Sequence, residues 1–251
     1  LRKDVTFSDG VPMTAEDVLF TFDAIQNPEN ETADLKGYYQ DVEKAEMLDQ
    51  YTIRFTCKKP YYRHLIMLGG LPIFPKHIYG EGDLNQHPNN RVPVGSGPYV
   101  FESWDTNQQV IFKRNDDYWR DTDRGYLDRK VYKIISDDNA AFQVLENGDL
   151  DVMGLSTEQW VNRTDSAQFQ ARFRKMQYWG GGGYYGHYTY IGWNERRPMF
   201  ADKRVRQAMT MLLDRQQVLD TIYHGIGRIC TGPFPHYVDA YDPDIKPWPF
   251  D

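Results

Sequence analysis

Four consecutive glycines at positions 180–183 are the part of this 251-residue chain that comes nearest to a site for chemistry, because glycine lets backbone N–H groups close around a phosphate. The Lys-Ser or Lys-Thr pair with which a phosphate loop reaches the β- and γ-phosphates does not follow them. Ser96 stands between Gly95 and Gly97, but a nucleophile elbow needs glycine two residues before the serine, where this chain has Val94. The GSGP segment therefore reads as a tight turn or as a backbone contact to a ligand, and both remain open. The six histidines, His64, His77, His87, His187, His224 and His236, include no i, i+4 pair, so none forms a helix-borne zinc site, and His187 is not expected to bind metal. Asp116 and Asp117 read as a solvated turn before Tyr118 and Trp119, since 36 acidic side chains make paired carboxylates common. Cys57 and Cys230 lie far apart, with no His or carboxylate spaced to complete a metal site. One disulfide or none is compatible with them, and free thiols are expected. No catalytic residue, metal or cofactor is expected.

The charge balance of 29 basic and 36 acidic residues, −7 in all, argues against nucleic acid, whose binders gather Lys and Arg to release counterions. The longest apolar run, at 65–68, is far short of the roughly 20 residues a bilayer span needs. No leader-like segment opens the chain, and Leu1 stands inside what reads as structured sequence, so a mature or excised piece is expected. Thirteen Phe, 18 Tyr and six Trp, many in loops, suit a binding cleft, because amphipathic rings grip varied ligands with few rotors to freeze.

Several elements must position these residues. Thr14 before Glu16 and Asp17 caps a predicted helix over 15–25, with Val18, Leu19, Phe22 and Ile25 on its apolar face. A hairpin is expected from 42–47 and 51–57 around Asp49 and Gln50, then a short buried helix over 61–68. A second hairpin pairs 99–104 with 109–114. Strand 130–135, helix 139–147 ended by Gly148, and strand 150–153 together suggest a parallel crossover, with its loop near a cleft. A short helix at 157–162, strands at 173–179 and 188–193, and two helices capped by Asp202 and Asp214 complete the reading, Val205, Ala208, Met209 and Leu212 sharing one face. Trp179, Tyr184 and Tyr185 beside the glycine run read either as core or as ligand contacts. Gly154, Leu155 and Ser156 follow the strand end at Met153, where an α/β sheet exposes its carboxyl edge, and Asn194 lies at a strand end before the Asp202 helix, where a hinge mouth would fall.

Four segments together resemble the family 5 extracytoplasmic solute-binding proteins, the peptide and nickel receptors of ABC importers. LRKDVTFSDGVPMTAEDVLFTFDAI is similar to a strand, FxDG turn and capped helix of that family, through Phe7, Asp9, Gly10, Thr14, Glu16, Asp17 and Val18. VGSGPYVF and FKRNDDYW resemble its GTGPY and RNPDYW pair, with Ser96 for the usual Thr and Asp116 where Pro is common. ISDDNAAFQVLENGDLDVM resembles its helix and GEIDV strand. WNERRPMFADKRVRQAMTMLLDR resembles the string that ends in RVRQAL and DR, with Trp193 in place of a smaller residue.

The resemblance implies a mixed α/β, periplasmic-binding-protein-like type II fold of two lobes plus an extra subdomain, truncated here because members are about twice this long. It divides the chain into 1–92, the extra subdomain of lobe I; 93–190, the lobe I core; and 191–251, an incomplete beginning of lobe II. It implies a monomeric receptor, periplasmic or extracytoplasmic and compatible with a lipoprotein anchor, that hands a short peptide to ABC permease subunits and catalyses nothing. By the same analogy Tyr38 and Tyr39, with the loop 154–156, line the cleft. Arg204, Arg206 and Asp214 read as structural. Trp179, Trp193 and the tyrosines would equally stack on an oligosaccharide; a nickel chelate, an α/β hydrolase and a sensor domain are the other readings.

Overall fold

The computed structural model describes residues 1–177 and 188–251, and the chain divides into two compact units, Leu1–Ile135 and Ser136–Asp251. In the first, helix α1 (Ala15–Gln26) starts in a capping box, in which Thr14 Oγ1 accepts from the Glu16 N–H and Asp17 Oδ2 accepts from the Thr14 N–H at 2.8 Å. Its periodic face, Val18, Phe22 and Ile25, is buried with Tyr39 of α2 (Ala33–Tyr39) and with Leu71. Strands β1 (Val42–Asp49) and β2 (Thr52–Cys57) form an antiparallel hairpin that lays Ala45, Ile53 and Phe55 on this core, Phe55 meeting Phe22 edge-on at 5.6 Å. Helices α3 (His64–Gly69) and α4 (Lys76–Tyr79) follow.

Asp17 and Thr21 join distant parts of this unit. Asp17 is 5% exposed, and its Oδ1 accepts from the Lys76 N–H at 2.9 Å, 59 residues away. Thr21 Oγ1 accepts from the Phe74 N–H and donates to the Asp17 carbonyl. The buried polar groups thereby satisfy backbone donors that the irregular segment before α4 leaves over. A three-stranded antiparallel sheet, β3 (Tyr99–Asp105), β4 (Gln109–Arg114) and β5 (Arg129–Lys133), has its strands in that spatial order.

The second unit is built on α5 (Asp138–Asn147), α6 (Thr157–Asn162) and α7 (Ala167–Arg172). Phe142 and Phe169 stack at 5.8 Å beside buried Leu145, with Leu150, Met153 and Leu155 packed around them. Asp137 caps α5, and Gly148 ends it at φ +91°, a left-handed conformation in which a side chain would be strained. Helices α8 (Pro198–Ala201), α9 (Lys203–Met211) and α10 (Arg215–Thr221) follow, the last two capped by Asp202 and Asp214 as expected.

Where the structure departs from the sequence reading, the missing ingredient is a partner. The hairpin turn is Gln50 and Tyr51, because Asp49 pairs with Thr52 and its carboxylate accepts from the Tyr51 N–H at 2.8 Å. The 61–68 helix forms as α3 but contains no buried residue. No parallel crossover forms among the described residues: β5 runs antiparallel to β4, and 150–153 is irregular chain whose Leu150 and Met153 pack on Phe142 and its neighbours. The described parts of the expected strands, 173–177 and 188–193, are likewise not strands. Alternating side chains do not make a strand without another edge to bond. On α9 and just beyond it, Val205, Ala208 and Leu212 are exposed and Met209 is half-buried, so most of that apolar stripe is uncovered among the described residues. No helix of the described residues is long and apolar enough to cross a membrane.

Candidate functional site

The glycine turn at 95–98 shows how the chain spends its polar groups. Gly95 O accepts from the Ser8 N–H, Ser96 O from Trp119 Nε1, Gly97 O from Asn115 Nδ2 and Pro98 O from the Asn115 N–H, all between 2.8 and 3.2 Å. Four successive carbonyls are thus taken by the RNDDYW segment and the N-terminal turn, and the two motifs clasp each other. Asp117 N–H donates to Asn115 Oδ1, and Arg114 pairs with Asp116 and Asp128, which makes the aspartate pair part of an exposed turn. The adjacent Tyr99 ring lies under the Lys130 ammonium, 4.0 Å from the ring centroid, and fills the space that a Cβ on Gly125 would need.

Tyr38 and Tyr39 are neighbours with opposite fates. Tyr38 is 57% exposed at the end of α2, whereas Tyr39 is 5% exposed, packs against Phe22 and directs its hydroxyl toward Met67 O. Burial raises the Tyr39 phenol above its ordinary pKa. Its ring packs into the core of the first unit.

The loop 154–156 in the second unit divides its work similarly. Leu155 packs on the Phe142 cluster. Ser156 Oγ accepts from the Gln159 N–H at 3.2 Å, while Gln159 Oε1 accepts from the Ser156 N–H and its Nε2 donates to Asp138 O. This reciprocal cap fixes the loop to α5, and Thr157 Oγ1 reaches Ile222 O just beyond α10. Gly154 is exposed, with open space where a Cβ would stand, so its backbone is the part of the loop that a ligand can approach closely.

Half-buried Trp193 lies 5.1 Å from Phe200, and Asn194 Oδ1 accepts from the Arg196 N–H in the turn that leads into α8. Arg206 donates to Phe200 O and Ala201 O and pairs with Glu195; Arg204 clamps the Asp202 cap and, with its own backbone N–H, holds that carboxyl below the usual range. Trp179, Tyr184, Tyr185 and His187 lie outside the described residues.

Tyr38 is thus in the first unit, and Gly154, Ser156, Trp193 and Asn194 are in the second. An open groove of about 630 Å³ on the β3–β5 sheet, lined by Pro98, Tyr99, Val110, Phe112, Lys130 and Tyr132, contains none of them. The sequence reading also missed the outer face of α3, where Leu65 and Ile66 face solvent next to Tyr61 and Tyr62. A continuous apolar run gives no sign of which face is turned out. Among the described residues no three His, Cys, Asp or Glu gather to hold a metal ion, and both cysteines are free.

Several solved structures are similar to this chain. The ABC transporter-associated periplasmic binding protein DppA from Helicobacter pylori, in complex with peptide STSA, superposes with a TM-score of 0.80 at 25% identity, covering 100% of this chain and 51% of that one. AppA from Bacillus subtilis, in complex with a nonapeptide, gives 0.77 at 28%, covering 100% and 49%. NikZ from Campylobacter jejuni, in complex with Ni(L-His), gives 0.78 at 25%, covering 100% and 48%. The fold is that of the periplasmic binding proteins, with mixed α/β content. More narrowly, the description "Bacterial extracellular solute-binding proteins, family 5 Middle" matches residues 1–251, and the chain belongs to that family. The oligopeptide-binding protein AppA of Bacillus subtilis (strain 168) is 32% identical over 242 residues, 93% of this chain and 42% of the relative. The chain therefore spans less than half of that relative's length.

Proposed function

We propose that the whole protein is the receptor of an ABC importer, capturing a short peptide in a cleft between two lobes and presenting it, chemically unchanged, to membrane permease subunits outside the cytoplasm. The observation that carries this reading is the family match along all 251 residues, joined to a 32% identical oligopeptide-binding relative. Neighbours solved with a nonapeptide and with STSA support it. A peptide suits such a receptor because its main chain offers the same donors and acceptors whatever its side chains, and bound water can fill what they leave. The protein acts as a monomer, with 1–92 the extra subdomain of lobe I, 93–190 the lobe I core and 191–251 the beginning of lobe II. Tyr38, Gly154, Ser156, Trp193 and Asn194 meet the ligand, as do Trp179, Tyr184 and Tyr185.

Native mass spectrometry of the full-length protein, followed by incubation with a peptide pool, tests this. Intact peptides retained on the protein are expected, and shortened peptides or no retention would overturn the reading. A nickel chelate is the second reading, favoured by the likeness to NikZ, and the same spectrum distinguishes it by the isotope pattern of the metal.

A further inference from the structure

We propose that the cavity at the C-terminal end of α1 binds a small organic ammonium compound, whose charge meets the Asp23 carboxylate and whose apolar body lies against Phe20 and Tyr79. The site is independent of the peptide-receptor reading. Phe20, Asp23 and the C-cap Asn27 stand at i, i+3 and i+7, which places them on one face of α1, while Val18, Phe22 and Ile25 are buried in the core. With Tyr79 of α4 and Leu84 they line a cavity of about 260 Å³. Its lining joins apolar walls to a titratable group, the combination that small-molecule sites use for affinity and orientation.

Asp23 is badly placed for an acid with only a structural role. The last turn of a helix presents the negative end of its dipole, where a carboxylate is repelled and a cation is favoured. No basic residue of α1 lies in that turn, and the Asp23 carboxylate has no hydrogen bond or ion pair among the described residues. The Lys36 ammonium reaches this end of the helix but donates to Asn27 O at 3.0 Å, leaving Asp23 unpaired. The cavity walls displace enough water from the carboxyl to raise its pKa above the ordinary value. A cation carried in by a ligand relieves both penalties. The walls are set before it arrives: Asn30 Nδ2 donates to Ala24 O at 2.8 Å, and the Tyr79 hydroxyl donates to Asn89 O at 3.0 Å while its ring meets those of Phe74 at 5.6 Å and His87 at 4.8 Å. Aromatic walls beside one carboxylate suit an organic cation. A hard divalent ion needs about six oxygen ligands, and no group of three acidic, His or Cys side chains gathers among the described residues.

The test titrates the full-length protein with phenethylammonium and with phenethyl alcohol, its neutral counterpart of the same shape, followed by calorimetry. The native protein is expected to bind the ammonium compound at millimolar concentration or below, and at least about tenfold more tightly than the alcohol, the discrimination that one charge-assisted contact supplies. Asp23→Asn should bring that ratio toward one, with a melting temperature equal to or above the native one, because it removes an acid that opposes the helix dipole. Asp149→Asn removes the same charge from an exposed position of the second unit and should keep the native ratio. Failure of the native protein to bind the ammonium compound, or equal affinity for the alcohol, overturns the proposal. So does a ratio that survives Asp23→Asn, or one that falls equally in Asp149→Asn, which would reduce the effect to the net charge of the chain. A lowered melting temperature in Asp23→Asn would give the carboxylate an internal partner and overturn it as well. Retention of peptides by the same protein is read separately, so loss of this site leaves the receptor reading standing.

Discussion

Replacing Asp17 by alanine should loosen the first unit at a place far from the substitution. The carboxylate accepts from the Thr14 N–H and hydroxyl on one oxygen and from the Lys76 N–H on the other. Losing the capping box costs about 1 kcal/mol. Leaving the part-buried Lys76 N–H without an acceptor adds about 1–3 kcal/mol. The sum is about 3 kcal/mol, which should speed amide exchange at Lys76 roughly 100-fold, with a smaller effect at Phe74, which Thr21 holds independently. Asp17→Asn is the sharper variant. An amide has one acceptor oxygen, so its NH2 must face either the Thr14 or the Lys76 donor, and about half the loss should remain. Hydrogen exchange followed by mass spectrometry resolves these amides without assuming that two units unfold in one step. Unchanged Lys76 protection in the alanine variant, or an asparagine variant as protected as the native chain, would refute the reasoning.

Three further outcomes follow from the same geometry. Gly125→Ala drives a Cβ into the Tyr99 ring, so it should cost about 1–3 kcal/mol and change the tyrosine near-ultraviolet dichroism; an undisturbed spectrum counts against that contact. Phe142→Ala removes a fully buried ring stacked on Phe169 and should destabilise the second unit by about 3–5 kcal/mol, read as lost exchange protection in α5 and α7 with α1 unaffected. Asp9 is opposed by partial burial but is held below the usual carboxylate range by His77 at 2.8 Å and by the Val11 N–H. A lowered native pKa stabilises above the unfolded value and loses that contribution as pH falls through the native one. Asp9→Asn should therefore be less stable by up to about 1 kcal/mol at pH 6, with the gap closing below about pH 3.9 in thermal melts, and a gap that widens in acid would contradict the pairing.

What could be read from the chain alone is what is decided within a few residues. Thr14, Asp202 and Asp214 cap their helices because a side-chain oxygen there reaches an N–H two or three positions on, and Gly148 ends α5 because it tolerates positive φ. The hairpins were legible for the same reason: a turn of two residues in one and three in the other brings alternating strands together locally. The family followed from the order of four such local motifs, and the comparisons bear it out. Only the tertiary structure separated exposed Tyr38 from buried Tyr39, or turned Leu65 and Ile66 outward from an all-apolar run. It also left 150–153 and 188–193 without strand pairing, and assigned the GSGP carbonyls to an internal clasp. Each of those outcomes depends on which distant surface arrives to cover a side chain or accept a backbone hydrogen bond, and residue type and spacing along the chain do not contain that information.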